Sequence, residues 1–165
     1  MMRGKMEKLV FQEMTPATLP ASLAVNKRYE AVLSPLDLCS LEQLVTHSCY
    51  ARQTRNGDAF LIAFNNRTFD ESENYSWFQS RYDNFVYVDR IAIAQTLQRG
   101  GLARAFYNDL FDFAANNGAD KIAAEVNTAP ANPASHAFHQ SMGFHPVGDA
   151  TFSPEKSVRY YLKNL

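Results

Sequence analysis

Ile91-Ala-Ile-Ala-Gln-Thr-Leu-Gln-Arg-Gly-Gly-Leu-Ala-Arg104 decides the fold. An apolar strand runs into a glycine-bearing loop, and the loop opens into the first turn of a helix. That order turns several backbone N–H groups toward one point, because the first helical turn has donors with no partner inside the helix. The helix dipole adds positive potential there, so an oxygen-rich anion suits the site. Gly100 and Gly101 let the backbone approach closely, and Ala103 is small for the same reason. Arg99 and Arg104 add charge suited to phosphates. The plainer alternative is a loop that only turns the chain.

Downstream of this stretch, Leu102, Phe106, Leu110 and Phe113 recur at helical spacing, which predicts a helix to Asn116 closed by Asn117-Gly118. Residues 121–127 follow as a strand, parallel to the strand over 85–94 because a helix joins them. A helix over 132–142 has Pro133 near its start and Gly143 past its end, and residues 145–151 and 157–163 close the chain as two strands. Upstream, Asn56-Gly57 between apolar runs predicts a hairpin within 51–64. Residues 9–14 read as a first strand. A helix follows with Thr15 as cap and Pro16 at its first position, interrupted near Pro20 and resuming to about Leu33. A short helix over 40–48 takes Ser40 as cap, and 74–82 forms a helix carrying Trp77, Phe78 and Tyr82. The sum is an α/β single domain over 1–165, with a mixed, strongly twisted sheet flanked by helices.

Composition agrees with one packed domain: 165 residues, 46% hydrophobic, formal net charge −1. No run of Lys or Arg exceeds two, which argues against nucleic-acid and membrane-surface partners. Cys39 and Cys49 lack metal-ligand spacing and read as free thiols, which points to the cytoplasm. No secretory signal and no bilayer-length apolar stretch is visible.

Two rival readings of the glycine loop are weak. A dinucleotide site would place a ribose ligand near Glu125, but the G-x-G-x-x-G spacing is absent. A Walker loop needs G-K-S/T, also absent. The spacing of Gln98 to Ala103, Q-x-x-G-x-A, instead resembles the pyrophosphate loop of the GNAT superfamily of N-acetyltransferases. A second block, Asn132-Pro-Ala-Ser-His-Ala-Phe-His-Gln-Ser-Met-Gly-Phe144, resembles another GNAT motif, N-x-x-(A/S)-x-x-(L/F)-Y-x-x-x-G-F. Asn132, Ser135, Phe138 and the Gly143-Phe144 pair match it. The resemblance covers residues 88–144, while residues 1–84 match only in the order of their elements.

The resemblance implies acetyl-coenzyme A as co-substrate and direct acetyl transfer to a primary amine of a small molecule or amino acid. It implies backbone contacts from Gln98, Arg99, Gly100, Gly101, Leu102, Ala103 and Arg104 to the pyrophosphate. Ile91, Ala92 and Ile93 would supply an oxyanion donor and carbonyls that hold the pantetheine arm like an added strand. Asn127 and Asn132 complete the expected cofactor contacts.

One position departs from the pattern: His139 stands where the family has the tyrosine that protonates the departing thiolate. A histidine either serves as the acid or is a polar helix residue without catalytic duty. His136 reads as a surface residue. The general base falls between two carboxylates, Asp89 in an otherwise apolar strand and, as alternative, Glu125 on the next. Asp89 could instead be an ion-pair partner of a neighbouring Arg. Tyr75, Trp77, Phe78 and Tyr82, with Phe85 and Tyr87 close behind, either wall the acceptor site or form core. The closing strands, with Tyr160 and Tyr161, offer a face for a second copy as a homodimer. The alternative function is an acyl-coenzyme A-binding sensor without turnover, which the loss of the family tyrosine keeps open.

Overall fold

The computed structural model describes residues 9–31, 33–68 and 70–165. In chain order the elements are β1 (Gln12–Glu13), α1 (Leu19–Arg28), α2 (Leu38–His47), β2 (Tyr50–Gln53), β3 (Ala59–Asn65), α3 (Glu73–Gln79), β4 (Phe85–Ile93), α4 (Leu102–Asn116), β5 (Lys121–Ala129), α5 (Pro133–Ser141), β6 (His145–Ser153) and β7 (Lys156–Asn164). A single 3-10 turn, Gln95–Leu97, follows β4. The strands form one seven-stranded sheet in the order β1-β2-β3-β4-β5-β7-β6. The order of elements is the one the sequence predicts, and the sheet is mixed: β4 and β5 are parallel and the other pairs antiparallel.

Strand β3 shows why the sheet is apolar on both sides. Side chains alternate across a strand. Phe60, Ile62 and Phe64 enter a core shared with α1, α2 and α3, while Ala59, Leu61 and Ala63 enter a second core under α4 and α5. A strand covered on both faces reads as an unbroken apolar run. Helix α4 contributes Leu102, Phe106, Tyr107, Leu110 and Ala114 to the second core, one stripe of an amphipathic helix.

The feature that positions the site lies between β4 and β5. Their parallel pairing covers Phe85↔Lys121, Val86↔Ile122 and Tyr87↔Ala123 and then stops. Beyond Tyr87 the two strands separate, and each keeps only its outer neighbour, β3 or β7. The β3–β4 register also slips, from Ile62↔Arg90 to Ala63↔Val88, which leaves Asp89 as the extra residue of a bulge. A bulge bends its strand and increases the local twist.

Several local expectations are corrected. Strand β1 is two residues long. Residues 15–18 form a turn closed by the Thr18 N–H to Thr15 O (3.0 Å), so the helix begins at Leu19 and ends at Arg28. Pro20 therefore sits in the first turn, where a missing N–H costs nothing, and does not interrupt a longer helix. Asp37, not Ser40, caps α2: its carboxylate accepts the Ser40 N–H at 2.7 Å. The aromatic segment is core, with Tyr75 and Phe78 fully buried and Trp77 stacked on Tyr160 at 4.2 Å between ring centres. Tyr160 and Tyr161 are buried as well, so they are not free to meet a second copy. No helix among the described residues is long and apolar enough to cross a membrane.

Candidate active site

The separation of β4 from β5 opens a cavity of about 640 Å³. Its wall includes Asp89 and Ile91 from β4, Glu125 and Asn127 from β5, Tyr107 from α4 and His139 from α5. Two catalytic candidates from different strands and one from a helix thus face one space, although 36 residues separate Asp89 from Glu125 in sequence.

The anion loop has the geometry its sequence predicts. Arg99 and Gly101 take left-handed backbone angles, φ of 64° and 78°. Glycine meets that angle at little cost, and Gly101 occupies the N-cap of α4 without offering a side-chain cap. The first helical N–H to reach a carbonyl is that of Ala105, to Gly101 O at 3.0 Å. Among the described residues the N–H groups of Gly100, Gly101, Leu102, Ala103 and Arg104 reach no backbone carbonyl. Five donors at a positive dipole end form an anion cradle. Arg104 additionally donates to Ser141 Oγ (3.2 Å), which ties the cradle to α5.

The Gln98 backbone N–H is taken by Gln95 O at 3.3 Å, and its side chain faces away from the loop. Its amide turns back to the Ile93 carbonyl (3.2 Å) and to the Tyr29 hydroxyl. Tyr29 itself donates to the same Ile93 carbonyl at 2.8 Å. Two donors already satisfy Ile93 O, so the carbonyl expected to hold an added strand is engaged within the chain. Ala92 is buried, and the Ile91 side chain borders the cavity.

The two carboxylates differ in their partners. Asp89 Oδ2 accepts from Arg90 Nε at 2.7 Å, the ion pair that the sequence holds open as its alternative role. Burial raises the Asp89 pKa while Arg90 opposes the rise. Glu125 Oε1 accepts from the Tyr87 hydroxyl (2.8 Å) and the Asn74 amide (3.3 Å), but Oε2 is buried with no partner among the described residues. Burial pushes the Glu125 pKa up to about 8, the Asp89 charge adds to the rise, and the Tyr87 hydrogen bond pulls against it. A carboxyl poised near neutral pH with one free oxygen is equipped to accept a proton.

His139 is buried and held at both nitrogens. Nδ1 lies 2.8 Å from Ser135 O, an atom that only accepts, so Nδ1 carries the proton. Nε2 is therefore the acceptor for the Tyr107 hydroxyl at 2.8 Å. Burial lowers the His139 pKa, which keeps the ring neutral at pH 7. His136 is more than a surface residue: Nε2 donates to Asn127 O (2.9 Å), and Nδ1 accepts from Tyr161 (2.6 Å). Asn127 Oδ1 accepts from Lys156 Nζ at 2.6 Å. Asn132 caps α5, its side chain accepting from Ser135 N at 3.4 Å.

Tyr107, Asn74 and Lys156 escape sequence reasoning, and Tyr87, read there as a candidate acceptor wall, lines the cavity. Tyr107 is adjacent to Phe106 in an apolar helix face and reads as core, which it also is. Nothing local marks the Tyr87–Glu125 or Lys156–Asn127 bonds, because the partners lie tens of residues apart.

Comparison with known proteins follows the same lines. Residues 44–144 match the Acetyltransferase (GNAT) family. No curated protein matches the chain. Among solved structures, the ribosomal-protein-S18-alanine N-acetyltransferase from Escherichia coli superposes with a TM-score of 0.69 at 20% identity, over 94% of this chain and 92% of that one. Ard1 from Thermoplasma volcanium gives a TM-score of 0.73 at 11% identity, over 94% and 97%. The ribosomal-protein-alanine N-acetyltransferase from Brucella melitensis gives 0.68 at 21%, over 95% and 100%. At these identities the likeness concerns the fold.

Proposed function

The chain belongs to the GNAT acetyltransferase family, and from that premise we propose that it transfers an acetyl group from acetyl-coenzyme A to a primary amine by direct attack. The observation that carries this reading is the buried Glu125 Oε2, without a partner among the described residues, in the cavity between the separated strands. Acetyl-coenzyme A supplies the thioester, with its diphosphate on the amides of Gly100 to Arg104 and its pantetheine arm entering along β4 past Ile91.

Glu125 takes one proton from the incoming ammonium, and the neutral amine then attacks the thioester carbonyl. The carbon–sulfur bond breaks with its electron pair on sulfur; the attacking nitrogen loses its second proton as the amide forms, and the thiolate takes up one, so the proton count is unchanged. Asp89 is the counter-ion of Arg90, since the guanidinium holds its carboxylate. The Tyr107–His139 pair faces the same cavity and stands in for the family tyrosine: in the resting protein the Tyr107 O–H is donated to His139 Nε2, and it would turn from there to the thiolate as the sulfur leaves. The acceptor is a small amine or amino acid. The Escherichia coli and Brucella neighbours are named for a protein alanine, so alanine amide belongs in the test panel as a mimic of a peptide N-terminus.

A second reading, an acyl-coenzyme A sensor, rests on His139. A neutral ring with both nitrogens engaged gives no ready acid. One experiment separates the two: release of free thiol from acetyl-coenzyme A across a panel of amines. Amine-dependent release supports the transferase, and tight binding without release for any amine supports the sensor.

A further inference from the structure

We propose that Arg90 is a positioning residue that fixes one wall of the acceptor cavity and thereby selects among amines. The inference rests on the transferase reading. Arg90 is 7% exposed, and a buried guanidinium is tolerated only where its N–H groups find partners. It finds them on three separate pieces of chain. Nε donates to Asp89 Oδ2 (2.7 Å) on its own strand, and Nη1 donates to Asn26 Oδ1 (3.0 Å) on α1 and to Ser34 O (3.2 Å) in the α1–α2 connection. Asn26 closes the ring, its amide donating to the same Ser34 carbonyl at 3.2 Å.

Ser34 O thus receives two donors, both from buried side chains. That carbonyl sits in the middle of the segment that lines the cavity with Tyr29, Leu33, Ser34 and Leu36. The segment is not a regular element, and Leu33 N to Tyr29 O (2.7 Å) is its own internal bond. Its position relative to β4 therefore depends on the Arg90–Asn26 clamp. The wall also precedes residue 44, where the match to the family begins. The clamp couples a wall that lies outside the family match to a strand that lies inside it.

The planar fork of arginine suits this task, and the single ammonium of lysine does not reach three acceptors in the same way. Asp89 takes on a defined role here. Its carboxylate compensates the buried charge, and the bulge at Asp89 sets the strand angle from which Arg90 departs.

The test uses Asn26→Ala, which removes half of the clamp at a residue that does not itself line the cavity. Steady-state thiol release is measured with propylamine, phenethylamine and alanine amide, together with the KM for acetyl-coenzyme A, the melting temperature and amide hydrogen exchange over residues 29–37. The expected result is an acceptor KM raised about tenfold, a narrower spread of kcat/KM among the amines, and faster exchange at Leu33. The kcat and the acetyl-coenzyme A KM should stay within about twofold, the signature of lost acceptor binding alone. Tyr50→Phe, which loses its bond to Asp109 on the other face of the sheet, is the control for general loosening and should move neither KM. Arg90→Lys repeats the measurement if Asn26→Ala does not fold. An unchanged acceptor KM, or both KM values rising together, overturns the proposal. Absence of thiol release by the native chain overturns the transferase reading and this inference with it, whereas native turnover with an unmoved acceptor KM in the variant overturns this inference alone.

Discussion

The two ends of the β4–β5 pair are made of similar sequence and do opposite work. At the closed end Phe85, Val86 and Tyr87 pair with Lys121, Ile122 and Ala123, and all but Lys121 are buried. At the open end the strands part, and the inward positions include Asp89, Glu125 and Asn127. Paired backbone satisfies its own donors and acceptors, and so tolerates an apolar setting. Parted backbone leaves polar groups that a ligand or side chains must satisfy. Stability is concentrated at the first end and chemistry at the second, within one nine-residue strand.

The contrast can be broken from either side. Glu125→Gln should have the largest effect, lowering kcat/KM by roughly 10²–10⁴ if Glu125 is the base. Native kcat/KM should rise with pH and level off above about 8, as Glu125 ionises. The same shift acts on stability with a definite sign. Glu125 holds its proton more tightly folded than unfolded, against an ordinary value of 4.5. Native stability should therefore fall as pH rises from about 5 through about 8, and Glu125→Gln should lack that fall in thermal melts. At the closed end, Phe85→Ala should cost about 3–5 kcal/mol in denaturant unfolding and leave the KM values of the folded fraction in place. A smaller effect is expected for His139→Ala. Turnover should drop by about tenfold through the freed Tyr107 hydroxyl, with coenzyme A binding by calorimetry nearly intact. Smallest is Tyr87→Phe, which links the two ends. Losing the hydrogen bond that favours ionised Glu125 should move the midpoint of the pH profile upward.

The same contrast explains what could be read from the sequence. Helix α4 was legible to the residue, because its apolar spacing and the Asn117-Gly118 ending are local signals. The left-handed turn at Gly101 that opens α4 was legible for the same reason. The start of α1 was not, since Thr18 is held in a turn by Gln53, a partner 35 residues away (2.7 Å). The site divides likewise. Glu125 and Asp89 stand out as charges in apolar strands, but which of them is paired with a cation depends on Arg90, Tyr87 and Asn74 converging from two elements, β4 and α3. The partnership of Tyr107 with His139 spans two helices and has no local trace.

Trp77 is the only tryptophan in the chain. It stacks on Tyr160, whose hydroxyl donates to Asn74, and the Asn74 amide donates to Glu125. The indole is thus a built-in optical probe a short relay away from the titrating carboxyl. Its emission should follow the ionisation of Glu125 without any label or any turnover, and so give the proton affinity of the site in the resting protein.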